Sequence, residues 1–217
     1  MFIFEFIWKG LLMLLFWAML TVSPLIDSIH FRHSLKLDGL PGEVAFEKSG
    51  NIYIIQADGA NKRTVYNHPP ANAVGGPGTD YGPAIGPRWS SDKSRVEFAA
   101  SVRGGSSWVL LSVDARGGNL RMLRQISGRD DWMLARNSRA DDITVRRGSV
   151  FYRSSDGVLH EVYRKYLYDA DYNSGAAEAS WGPEKQQIIF EDNNRIFIAD
   201  LRGSWAELTP GAQPDWK

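Results

Sequence analysis

The sequence has no cysteine, four histidines and no surplus of either charge, with 25 Lys and Arg against 25 Asp and Glu in 217 residues. Without thiols there is no disulfide framework, thiolate zinc site, iron–sulfur cluster or cysteine nucleophile. The compartment stays open, because a chain without thiols is equally at ease in oxidising and reducing surroundings. A formal charge of zero argues against nucleic acid as a partner, since phosphate affinity is built from excess Lys and Arg. Catalytic signatures are missing as well: there is no Gly-x-Ser-x-Gly elbow, no His-Glu-x-x-His pair and no Gly-Lys-Ser/Thr phosphate loop. The chain therefore reads as non-enzymatic.

Long hydrophobic runs are absent with one exception, the first 26 residues, where Glu5 and Lys9 are the charges and residues 10–26 carry none. As helix, that uncharged stretch rises about 26 Å, close to the hydrocarbon core of a bilayer. The strand-like pattern that follows favours a membrane-inserted helix over a buried core helix. No small-x-small cleavage site closes the run, since Thr21-Val22-Ser23 leads into Pro24, so a retained single-pass anchor is expected over a cleaved signal peptide. Lys9 on one flank and Arg32 and Lys36 on the other do not set the orientation. Residues 1–36 are assigned to anchor and linker; residues 37–217 keep 22 basic and 23 acidic side chains and form the domain.

From Leu37 onward, short β-branched or aromatic runs alternate with Gly, Asp, Asn and Ser, and no amphipathic helix stands out. The runs include 51–55, 95–101, 107–113, 149–153, 157–163, 186–190 and 195–200, an all-β pattern. Trp89, Trp132, Trp181 and Trp216 follow one another at intervals of 43, 49 and 35 residues, the spacing of propeller blades. Asp114, Asp156 and Asp200 trail the first three by 25, 24 and 19 residues, so a second marker keeps nearly the same phase. Glycines at 59, 117, 118 and 157 supply the positive φ angles of tight hairpins.

Segments 51–65, 87–101, 107–123 and 179–216 resemble the PD40 (WD40-like) repeat of TolB-type β-propellers, whose pattern is P-x-W-S-P-D-G, two strands, a D-G turn and R-x-L-T. The resemblance is weak around Trp132, and 89–93 (WSSDK) lacks the usual Pro and Gly. It implies four blades, at about 43–68, 85–126, 130–168 and 179–209, with a terminal strand at 211–217, where TolB-type propellers usually have six. Truncation, or assembly with further copies, is accordingly expected over a closed small ring; the alternative is that the terminal strand pairs into the first blade, which has no Trp strand of its own. The resemblance further implies an extracytoplasmic, periplasmic location and a non-catalytic role, binding a protein or envelope polymer. Propellers of this type also occur in prolyl-oligopeptidase-like hydrolases and sugar lyases, so the chain could instead be the propeller portion of such an enzyme, or a fragment.

Candidate site residues are few. In 169–175 (DADYNSG), Asp169, Asp171 and Asn173 place oxygen ligands at alternate positions, a calcium candidate, although Ser174 and Ser180 stand where an EF-hand loop has Gly and Glu. No other cofactor is expected. His30 and His33 read as a solvated juxtamembrane pair, and His68 and His160 as isolated side chains. Residues 74–87, rich in glycine and proline, read as a surface connection between blades. Tyr163, Tyr166, Tyr168 and Tyr172 read as strand residues packing between blades, with a stacking platform as the alternative. Between Arg116 and Lys165, eleven basic side chains face six acidic ones. Solvent-facing strand positions explain that excess most simply, and an acidic partner or anionic lipid is the functional alternative.

Overall fold

Two-residue alternation, interrupted at turns by residues that tolerate positive φ, produces fifteen strands among the described residues. The computed structural model describes residues 35–69, 80–102, 107–137, 142–164 and 176–217. The apolar stretch 10–26 and the segment 169–175 carrying Asp169, Asp171 and Asn173 lie outside them. Among the described residues no helix is long and apolar enough to cross a membrane.

The first sheet contains β1 (Glu43–Lys48), β2 (Asn51–Gln56) and β3 (Arg63–Tyr66). The second contains β4 (Tyr81–Trp89), β5 (Arg95–Val102), β6 (Trp108–Asp114) and β7 (Arg121–Ile126). Helix α1 (Arg129–Asn137) precedes the third sheet, β8 (Ile143–Arg146), β9 (Ser149–Arg153) and β10 (Leu159–Tyr163). The fourth has β11 (Ala176–Trp181), β12 (Gln187–Asp192), β13 (Arg195–Asp200) and β14 (Trp205–Pro210), and β15 (Ala212–Trp216) ends the chain. All neighbours are antiparallel, and three sheets run in chain order. The first is completed by the end of the chain, in the order β15-β1-β2-β3. Thus the pairing of the two ends, the lesser of the two expectations, is what the structure adopts, with Val44 opposite Trp216 and Ala45 opposite Asp215.

Equivalent hairpins fix the phase of the four sheets. The amides of Gln56, Asp114, Ser154 and Asp200 donate to the carbonyls of Ala60, Gly118, Val158 and Ser204 at 2.8–2.9 Å. Gly59, Gly117, Gly157 and Gly203 hold the same position with φ of 84–88°, where a Cβ is disfavoured. Asp114 and Asp200 are therefore equivalent, whereas Asp156 falls two residues later, at a position Ser154 opens. In the earlier hairpins Lys93 (φ 60°) and Lys185 (φ 53°) occupy the left-handed position that the repeat usually gives to glycine. The turn at 89–93 still forms because Asp92 accepts hydrogen bonds from the Ser90 hydroxyl (2.6 Å) and the Ser94 amide (3.1 Å). The Ser90 bond, ahead of those from Ser94, lowers its carboxyl pKa to about 2.

Two expectations are corrected. Residues 81–87 are part of β4 rather than a surface connection. Pro83 and Pro87 are tolerated there because β4 is an edge strand whose inner side has no ladder partner. The segment around Trp132 is helical, and among the described residues the third sheet has three strands where the others have four. Asp130 and Asp131 in the first turn favour that start, and the residues after it are good helix formers.

Buried side chains join neighbouring sheets. Ile52, Ile54 and Val65 of the first pack with Val96, Phe98 and Leu111 of the second. Val44, Phe46 and Trp216 pack with Ile189, Ile196 and Ile198 of the fourth. Val150 and Val162 of the third pack with Ile188, Phe190 and Ala199 of the fourth. Tyr163 belongs to this last layer, its ring 4.6 Å from that of Phe190 and its hydroxyl on Asp192, which is a packing role.

Polar contacts fasten β15 to three sheets at once. The Gly86 amide donates to Gln213 Oε1 at 2.6 Å, the Trp89 amide to Asp215 Oδ2 at 2.7 Å, and the Gln213 amide to Glu191 Oε2 at 2.9 Å. Lys217 reaches Glu43 at 2.8 Å, with its ammonium 3.8 Å from the Trp89 ring centre, and Arg63 meets the other Glu43 oxygen at 2.5 Å. Burial opposes ionisation of Glu43, but the hydrogen bonds and charges of Lys217 and Arg63 together outweigh it and hold its pKa below 4.5. A depressed carboxylate contributes stability above its unfolded-state pKa and loses it as pH falls through the folded value. Stability is therefore expected to decline below about pH 4.5, and Glu43→Gln should flatten that part of a pH series of urea midpoints. An unchanged slope would remove Glu43 from the acid response.

Candidate binding face on the second sheet

Each outer strand carries a β-bulge at the same place. Opposite the pairs Ile52–Tyr53, Leu110–Leu111, Val150–Phe151 and Ile196–Phe197, the outer strands insert one extra residue: Val65, Leu123, Val162 and Leu208. A bulge bends the strand and re-aims the extra side chain, here toward the sheet that follows. Val65 is 6% exposed against the second sheet, and Val162 is fully buried against the fourth. Leu208 packs on the cluster shared by the fourth and first sheets. Leu123 departs from this rule: it is 47% exposed, and Met122 beside it is 58% exposed.

The sheet that follows explains the difference. On the faces that meet a preceding sheet, Phe46, Phe98 and Phe190 are fully buried opposite Tyr53, Leu111 and Phe197. In the third sheet the corresponding partner of Phe151 is Thr144. Two residues further on, Ile55, Val113 and Ala199 are buried, and their counterpart is the exposed Arg153. A face carrying threonine and arginine at those positions cannot cover an apolar neighbour without stranding a charge. Accordingly, no buried cluster among the described residues joins the second and third sheets.

Helix α1 covers part of the face instead. Trp132, 2% exposed, packs with Ala99, Leu110 and Ile126, and Met133 lies against the same group. The Trp132 indole donates to the Gly86 carbonyl at 2.7 Å, and the Arg88 guanidinium carbon lies 4.4 Å from its ring centre. Arg88 also pairs with Glu97 at 2.7 Å. The outer strip on β7 stays open, since residues 121–125 are all exposed. Arg124 occupies the position of Tyr66, Tyr163 and Thr209, which are buried or half-buried. Among the described residues Arg121, Arg124 and Arg146 form no salt bridge. The basic excess between Arg116 and Lys165 is thus concentrated, in part, on this strip and on the third sheet.

The remaining candidates separate. Asp169, Asp171 and Asn173, with Tyr166, Tyr168 and Tyr172, lie outside the described residues, as do His30 and His33. Among the described residues no group of three His, Asp or Glu side chains is placed to hold a metal ion. His68 meets Asn51 Oδ1 at 3.0 Å, while His160 stacks on Tyr152 and meets the Ser154 hydroxyl at 3.1 Å. Sequence reasoning missed Leu123 because the R-x-L-T element was read as a repeat marker. The signal was Arg124 following Leu123 where the repeat has Thr, together with Thr144 where the other sheets have Phe.

No protein-family model matches the chain, and no curated protein does. The similar solved structures include TolB from Acinetobacter baumannii, at 16% identity and a TM-score of 0.30, covering 80% of this chain and 44% of that one. Oligogalacturonate lyase from Vibrio parahaemolyticus is similar at 12% identity and a TM-score of 0.27, covering 68% and 41%. A nidogen/laminin complex is similar at 11% identity and a TM-score of 0.30, covering 82% and 70%. The chain thus spans less than half the length of the TolB and lyase chains. Its own antiparallel sheets, with their repeated hairpins and repeated bulges, give it a propeller-type fold.

Proposed function

We propose that this chain is a non-catalytic propeller that binds a protein partner, held on the extracytoplasmic side of a membrane by the apolar stretch 10–26. Leu123 carries the reading. At the position where Val65, Val162 and Leu208 pack on a following sheet, it and its neighbour Met122 remain exposed. An exposed leucine set between arginines suits a protein surface better than a sugar polymer, because aliphatic side chains gain most from contact with other apolar groups.

A photo-crosslinking residue placed at 123 in the full chain, in its own membranes, should yield one discrete protein adduct. The same probe at Val158, which is 49% exposed in the hairpin between β9 and β10, should not. Equal labelling at both positions, or none at 123, would defeat the reading.

A further inference from the structure

The open strip on β7 differs from the other outer strands in two ways, and both concern what is able to cover it. Leu123 supplies an apolar contact without a covering sheet, and Arg121 and Arg124 flank it with charges that no acidic group among the described residues pairs. Resting on the protein-binding reading above, we propose that the occupant is an acidic segment of a partner protein carrying a large apolar side chain, seated on Leu123 between Arg121 and Arg124.

Charge complementarity decides among occupants. A second copy of this chain, offering its third sheet to the strip as a following blade would, brings Arg146 and Arg153 against Arg121 and Arg124. Like charges in a partly desolvated contact oppose that docking. A purely apolar segment would cover Leu123 but strip water from two unpaired guanidiniums, which costs more than the contact returns. Carboxylates at spacings that reach both arginines remove that cost and form two-pronged pairs. The acidic groups nearest in sequence lie elsewhere: Asp114 pairs with Arg95, and Asp130 and Asp131 stand in the first turn of α1, where Asp131 takes the Ser127 hydroxyl.

The test uses the full chain in detergent and three labelled twelve-residue peptides, read by fluorescence anisotropy. One alternates Glu with Leu, one alternates Glu with Ala, and one alternates Lys with Leu. The Glu/Leu peptide should bind, and binding should weaken about tenfold between 50 and 300 mM salt. R121E/R124E should abolish it, L123S should weaken it about fivefold, and the exposed control R202E should leave it unchanged. Tight binding of the Lys/Leu peptide would overturn the proposal, as would equal binding by wild type and R121E/R124E or an equal loss with R202E. A dimer of the full chain that L123E dissociates would assign the strip to a second copy and overturn it too. Should the crosslinker at 123 capture one protein while the Glu/Leu peptide fails to bind, the protein-binding reading stands and the acidic assignment falls.

Discussion

Removal of residues 212–217 is expected to abolish cooperative unfolding, and Trp216→Ala alone should cost about 3–5 kcal/mol. The expectation follows from where β15 sits. It is the inner strand of the first sheet, yet Gln213 and Asp215 hold amides of Gly86 and Trp89 in the second, and the Gln213 amide is held by Glu191 of the fourth. Trp216 is 6% exposed in the cluster between the first and fourth sheets, and its indole donates to the Pro41 carbonyl at 3.0 Å. Gly182 gives it room: a Cβ there would lie 2.8 Å from the indole ring. Against a total stability of about 5–15 kcal/mol, losing one such anchor is severe and losing the whole strand is more than a small domain tolerates. Urea unfolding followed by tryptophan fluorescence and far-ultraviolet dichroism checks both variants. A truncated chain with an unchanged, cooperative transition would show that the sheets do not depend on the closing strand.

Trp132→Ala should cost a similar amount, about 3–5 kcal/mol, and Trp132→Phe about 1–2 kcal/mol. The two substitutions separate two contributions. Alanine removes the ring that covers Ala99, Leu110 and Ile126 and the surface on which Arg88 stacks. Phenylalanine keeps most of that cover and loses the donor to the Gly86 carbonyl, leaving a buried acceptor unpaired. Equal losses in the two variants, measured by urea midpoints, would mean that the hydrogen bond and not the packing secures α1. Either loss should also expose more of the second sheet beside Leu123, so the variants are unsuited to binding assays.

How much of this was legible depends on the range of the interactions involved. The strands at 51–56, 95–102, 108–114 and 195–200 were readable because alternation and turn residues are local. So was the four-fold repeat, since identical hairpins need identical residues at positive φ. The roles of Trp132 and of 81–87 were not. An aromatic in phase with Trp89 and Trp181 reads as an inner strand, and only the face left uncovered on the second sheet shows why a helix lies there instead. Glycine and proline in 81–87 suggested a connection, because nothing local reveals that β4 is an edge where missing amides do no harm.

The sequence by itself determined an all-β chain of repeated antiparallel units, with a long apolar stretch ahead of them and charges in balance. Tertiary structure decided between the two expectations that the last strand left open, pairing it into the first sheet, because that pairing joins residues about 170 positions apart and a first blade without its own Trp strand only hints at the partner. It likewise decided that Leu123 stays exposed while Val65, Val162 and Leu208 do not. Four apolar residues at one repeat position look alike in sequence, and burial belongs to the neighbour each one meets: an apolar sheet for three of them, and for Leu123 none among the described residues, because Thr144 and Arg153 unfit the third sheet for the contact.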